Sequence, residues 1–267
     1  MNEYTRQKSG HSHAKVFAVT SGKGGVGKTS IAVNLGITLA GAGMRVLLID
    51  ADVGLANVDL MTGVTAAHSI EDVLSGDASI FDALVDGPMN LTILPASSGM
   101  GTIQEPGDNI DNFKKELLKL ENAFDIIFID TGAGISANVV DFVFMADEVV
   151  VIMTPEPTAF ADAYAMVKLV SMKRPDLDVG ILINMVQSEN EAEKIYGKFN
   201  EIVRRFLGKE IHFRGSVARD KAVGEAVMRQ VPLALYAGKS PSMRSIQKVA
   251  RNVIGLKTAK RRGMFSR

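Results

Sequence analysis

The chain of 267 residues carries 30 Lys+Arg and 30 Asp+Glu, 46% hydrophobic residues, 25 Gly, and neither Cys nor Trp. That length holds one large domain or two small ones, and the lack of Cys excludes disulfides, thiolate metal sites, iron–sulfur clusters and cysteine nucleophiles. The neutral sum hides an asymmetry: residues 1–225 hold all 30 acids against 20 bases, whereas residues 226–267 hold ten bases and no acid.

Met1 to Ala14 is polar and no apolar run reaches the ~18 residues that would span a bilayer, so a soluble intracellular protein is expected. The first strand is predicted at Val16 to Thr20. Directly after it comes Gly22-Lys23-Gly24-Gly25-Val26-Gly27-Lys28-Thr29, which satisfies G-x-x-x-x-G-K-[ST] and opens a helix, Thr29 to Ala40, with Ser30 beside the motif as a further ATP-binding candidate. The glycines let consecutive N–H groups face phosphates, Lys28 supplies a point charge to the β and γ phosphates, and the Thr29 hydroxyl suits Mg²⁺. The helix has Ile31, Leu35 and Leu39 on one face and stops at Gly41 and Gly43.

The second strand, Arg45 to Asp50, runs into Asp50-Ala51-Asp52 and on to Asn57. Carboxylates at the C-terminal edge of a strand beside a phosphate loop can reach Mg²⁺ or an attacking water; Asp50 alternatively caps the loop. From Val46 to Phe113 there are eleven acids and no Lys or Arg, either a docking face for a basic partner or a solvated surface. A strand at Leu91 to Leu94 precedes a Ser- and Gly-rich loop, Pro95 to Asp108, and a helix at Asn112 to Glu121. The strand Asp125 to Asp130 ends four apolar residues in Asp130-Thr131-Gly132-Ala133-Gly134, an arrangement in which Asp130 holds a Mg²⁺-bound water and the Gly-rich turn responds to the γ-phosphate.

The helix Ala137 to Met145, strand Glu148 to Thr154, helix Thr158 to Met172 and strand Val179 to Asn184 follow. The amide of Asn184 offers both a donor and an acceptor, to an adenine edge or to a turn. Next come the helix Glu191 to Leu207, strand Ile211 to Val217 and helix Arg219 to Arg229. The last helix has Ser240 as N-cap, Pro241 in its first turn, Met243, Ile246, Ala250 and Val253 at helical spacing, and Gly255 as its stop. Alternating strands and helices predict an α/β fold, a single doubly wound, mostly parallel sheet of seven or eight strands with helices on both faces. The organisation expected is a flexible segment 1–14, one domain 15–255 and a basic tail 256–267.

Lys23 is not required by the general phosphate-loop motif. With it the loop resembles the deviant Walker A motif of the MinD/ParA family of P-loop ATPases, and the likeness extends from Lys15 to Gly255. The resemblance implies ATP and Mg²⁺ as ligands and a homodimer closed over two nucleotides, with Lys23 reaching the partner's phosphates and Asn57 in the interface. It further implies that Asp52 orients the hydrolytic water, that Asp50 lies close to the Mg²⁺ shell and that Asn184 contacts the base. The segments Asp52 to Asp59 and Thr154 to Tyr164 look most like the family's flagellar-number regulators, the FlhG (FleN) branch. That likeness implies flagellar partners: an FlhF-type GTPase, a switch-complex component or a transcription regulator. Met1 to Ala14 lacks the Gln-Ala-x-x-Leu-Arg segment many of that branch carry, which puts stimulation of the GTPase in question.

The tail, Leu256 to Arg267, has five cations and only Leu256, Met264 and Phe265 as large apolar residues. By resemblance to MinD it anchors the ATP dimer reversibly to the inner face of the cell membrane; the other reading is a solvated or partner-binding tail. No nucleic-acid partner is expected, although division-site regulation of the MinD type and DNA partition of the ParA type stand as alternatives. Iron–sulfur relatives are excluded by the absent cysteines.

Overall fold

The computed structural model describes residues 13–53, 57–97 and 109–259. Its eight strands form one sheet in the order β3-β4-β2-β5-β1-β6-β7-β8. They are β1 (Lys15–Ser21), β2 (Val46–Ala51), β3 (Val85–Asp86), β4 (Thr92–Leu94), β5 (Ile126–Ala133), β6 (Glu148–Met153), β7 (Asp178–Val186) and β8 (His212–Ala218). Every pairing is parallel except β3 with β4.

Strict alternation divides the core. On β2, Val46 and Leu48 pack to one face while Leu47 and Ile49 pack to the other, and on β5 Ile126 and Phe128 oppose Ile127 and Ile129 in the same way. Helices α1 (Lys28–Gly41) and α10 (Pro241–Ala259) cover the first face, with the short α9 (Leu233–Tyr236) beside them. On the second face, α3 (Ile70–Ser75) and α4 (Ile110–Leu118) cover one half and α5 (Ala137–Val143), α6 (Pro157–Lys173) and α7 (Glu189–Leu207) the other. Burial on both faces explains why these strands read as continuous apolar runs.

The structure departs from the sequence expectation in the short helices α3 and α9, which no predicted element covers, and in three further features. Helix α1 is buried nearly all round, with Ala32, Val33 and Ile37 as covered as Ile31, Leu35 and Leu39, because α9 and α10 lie over it. The last helix runs through Gly255 to Ala259; glycine inside a helix costs only ~1 kcal/mol relative to Ala, and it ends one only where the chain turns left-handed. The edge strand β3 has two residues, too few to show a period, and turns back through Met89 and Asn90 at positive φ. The parts of the expected flexible segment, loop and tail at 1–12, 98–108 and 260–267 lie outside the described residues.

Candidate nucleotide site

β1 occupies the middle of the sheet: the chain first goes from it toward β2 on one side, returns beside it as β5, and then crosses to β6 on the other. Such a reversal opens a crevice at the strands' C-terminal ends. The turn from β1 into α1 fills it. Gly27, the residue before α1, has φ 88, and a Cβ built there would stand 2.6 Å from the Nδ2 of Asn184, so neither the backbone nor the space admits a side chain. Lys28 is buried, 7% exposed, in the first turn of α1.

Gly24, Gly25, Gly27, Lys28, Thr29, Ser30, Asp52 and Asn57 all line one cleft of about 760 Å³. The same cleft is lined by Gly132, Ser136 and Asn138, and by Leu60 and Met61 of α2 (Val58–Thr62), Val227 of α8 (Lys221–Met228) and Gln230 just beyond α8. Sequence reasoning missed these last residues, since α2 is a single turn too short for a helical period and nothing near Gln230 marks a ligand. Gln230 holds φ 55, uncommon for a residue with a side chain.

Two carboxylates stand abreast in neighbouring strands, Asp50 of β2 paired in register with Asp130 of β5. Asp50 is spent on the backbone: its Oδ1 accepts from Asp52 N–H, and its Oδ2 from Asn57 and Val58 N–H, all at 3.1 Å. These three bonds make it a loop cap. Burial raises its pKa to about 6 against those three donors. Asp130 is wholly buried, and neither of its oxygens receives a hydrogen bond of good geometry. Burial first, then the charge of Asp50, pushes its pKa up to about 8; the Thr29 hydroxyl and Lys28 oppose this. The pKa of Asp52, half-buried in the cleft lining, is raised by burial and lowered by Lys28.

The remaining expected residues lie elsewhere. The Nδ2 of Asn184 donates to the Val26 carbonyl at 2.7 Å and its Oδ1 accepts from Met185 N–H at 2.8 Å, so the side chain braces the back of the loop and does not line the cleft. Lys23 turns away from the cleft onto the start of α6, where its ammonium donates to Glu156 Oε2 at 3.0 Å and Thr158 Oγ1 at 3.1 Å. Asn34, buried in α1, ties the first turn of that helix to α9: its Nδ2 donates to the Ser30 carbonyl and its Oδ1 accepts from Ala234 N–H.

A phosphate loop at the reversal of a doubly wound sheet, with a buried carboxylate left open beside its Thr, defines a P-loop nucleotide-binding protein. A family model described as "AAA domain" matches residues 14–178. The chain is 36% identical to the antiactivator FleN of Pseudomonas aeruginosa over 251 residues, 90% of this chain and 86% of FleN. It is 32% identical to the flagellum site-determining protein YlxH of Helicobacter pylori, over 89% of this chain and 81% of that one. The septum site-determining protein MinD of Pyrococcus horikoshii, solved with Mg-ADP, shares the fold at a TM-score of 0.75 and 24% identity, over 91% of this chain and 98% of MinD. The chain belongs to the MinD/ParA-type family of P-loop ATPases and stands close to FlhG (FleN).

Proposed function

We propose that the chain is an ATP-driven switch that sets flagellar number or placement by passing between a single subunit and a pair closed over ATP. The observation that carries this is the open carboxylate of Asp130 beside Thr29, at the foot of a phosphate loop whose extra cation, Lys23, stands outside the cleft. A buried acid that receives no well-formed hydrogen bond calls for a cation. Among the described residues no three His, Asp or Glu form a metal cage, so an ion here needs the nucleotide's own oxygens, as Mg²⁺ commonly does. Thr29 and Asp130 would hold it, Asp130 through water. Bound Mg²⁺ supplies charge neutralisation between the terminal phosphates. The Mg-ADP carried by the related MinD supports a nucleotide and Mg²⁺ as the ligands.

The chain's own residues do the rest. The loop and Lys28 hold the phosphates, Asp52 orients water at the cleft wall, and Lys23 leaves Glu156 and Thr158 to meet the second copy's phosphates. Asn57 lies at the seam, as do Leu60 and Val227, which are 51% and 48% exposed on the cleft's rim, an apolar border a second copy would cover. Asn184 meets the base when the loop moves on ligand binding. The names of FleN, an antiactivator, and YlxH, a flagellum site-determining protein, support a flagellar transcription regulator, a switch-complex component or an FlhF-type GTPase as partner. No helix of the described residues is long and apolar enough to cross a membrane; reversible docking from the cytoplasm through residues 256–267 fits their five cations, each worth ~1 kcal/mol at an anionic leaflet.

Light scattering after size exclusion tests the switch. With ATP and Mg²⁺, Asp52→Ala is expected to run as a dimer and Lys23→Ala as a monomer that still binds ATP; monomers throughout, with ATP bound, would overturn it. Liposome sedimentation with and without residues 256–267 tests the tail.

A further inference from the structure

Asp52 is the first residue past β2, and its own backbone N–H is tied to Asp50. What fixes its carboxylate lies on the neighbouring strand, one residue past the in-register pair Ala51–Thr131. A Cβ built on Gly132 would stand 2.9 Å from Asp52 Oδ1, 3.7 Å from its Cγ and 3.3 Å from Cγ2 of Val139. Gly132 is not among the positive-φ glycines and sits within β5, so its backbone suits any L residue. The missing side chain therefore serves space, and the space is filled by Asp52.

The backbone around Gly132 has little room to give. Ser21 of β1 pairs with Ala133, the Ser21 carbonyl accepts from Gly134 N–H at 2.9 Å, and the Thr131 hydroxyl bonds the carbonyls of Val19 and Gly132. Any side chain at 132 must be accommodated by the carboxylate. Since an end-of-chain carboxylate turns at small cost, the fold would survive; a misplacement of about 1 Å at a reacting group, however, costs on the order of a hundredfold in rate.

We propose that Gly132 is a positioning residue for hydrolysis: its bare α-carbon sets where the carboxylate of Asp52 rests, which seats the segment after β2 against the end of β5. This rests on the reading of Asp52 given above. Gly132→Ala is expected to lower kcat about tenfold or more, with KM for ATP within about twofold and the unfolding midpoint unchanged. It should also accumulate the ATP dimer on light scattering, as is expected of Asp52→Ala. Gly132→Ala added to Asp52→Ala should cost nothing further, because the group being displaced is gone. Gly132→Ala/Val139→Ala should stay slow.

Normal turnover in Gly132→Ala beside an inactive Asp52→Ala would overturn this inference and leave the function standing. So would a loss that Val139→Ala restores, or one that adds to that of Asp52→Ala. Normal turnover in Asp52→Ala would remove the role of Asp52 and this inference with it.

Discussion

Two buried carboxylates at opposite ends of the sheet are treated in opposite ways. Near the N-terminal ends of the strands, Glu148 of β6 is met by the guanidinium of Arg214 of β8, which reaches it across β7 at Gly180. A Cβ at Gly180 would stand 2.5 Å from the Arg214 Cγ, so the strand between is bared to let the pair close. At the C-terminal ends, Asp130 is equally buried and keeps both oxygens open. The first carboxylate is architecture, complete within the chain. The second is left incomplete, and its partner arrives from outside.

Breaking the closed pair should have the largest effect. Arg214→Met leaves Glu148 buried alone and is expected to cost ~3–5 kcal/mol in urea unfolding, most of it recovered in Glu148→Gln/Arg214→Met. The open carboxylate predicts the reverse. Unfolded, Asp130 loses its proton near 3.8; folded, it holds the proton to about 8. Between those values the folded state binds more protons, so its contribution to stability falls as pH rises through that window. Asp130→Asn should therefore raise the nucleotide-free unfolding midpoint at pH 8 by about 2 °C or more, and less at pH 5, while ATP turnover falls.

Smaller effects sharpen the contrast. Gln230→Gly relieves a positive φ at the cleft and should gain about 0.5–1 kcal/mol in urea unfolding. Glu156→Gln removes the ion pair with Lys23, whose side chains are 41% and 59% exposed for Lys and Glu, and should change stability by no more than about 0.5 kcal/mol. Its effect belongs to ATP-dependent pairing, which should become more favourable.

The sequence showed the strand run and the phosphate loop because both are local: apolar runs four to eight residues long, and a motif with its lysine and threonine at fixed spacing. It showed Asp50 and Asp130 as strand ends but not their register, which brings them abreast and makes one a cap and the other open. Contacts between distant segments were out of reach: Glu156 under Lys23, Asn184 behind Val26, Gly132 against Asp52, Arg214 across Gly180. Each joins side chains that no periodicity relates. Helix α10 passed its glycine for the complementary reason, that a local stop signal of ~1 kcal/mol decides nothing against a long packed helix.

The account turns on Asp130 being completed by a cation that comes with the nucleotide. Thermal unfolding at pH 8 with ATP, in the presence of Mg²⁺ or of a chelator, tests this in the full chain and in Asp130→Asn. Mg²⁺ should add several degrees to the midpoint of the former beyond ATP alone and little to that of the latter; an equal Mg²⁺ increment in both would contradict it.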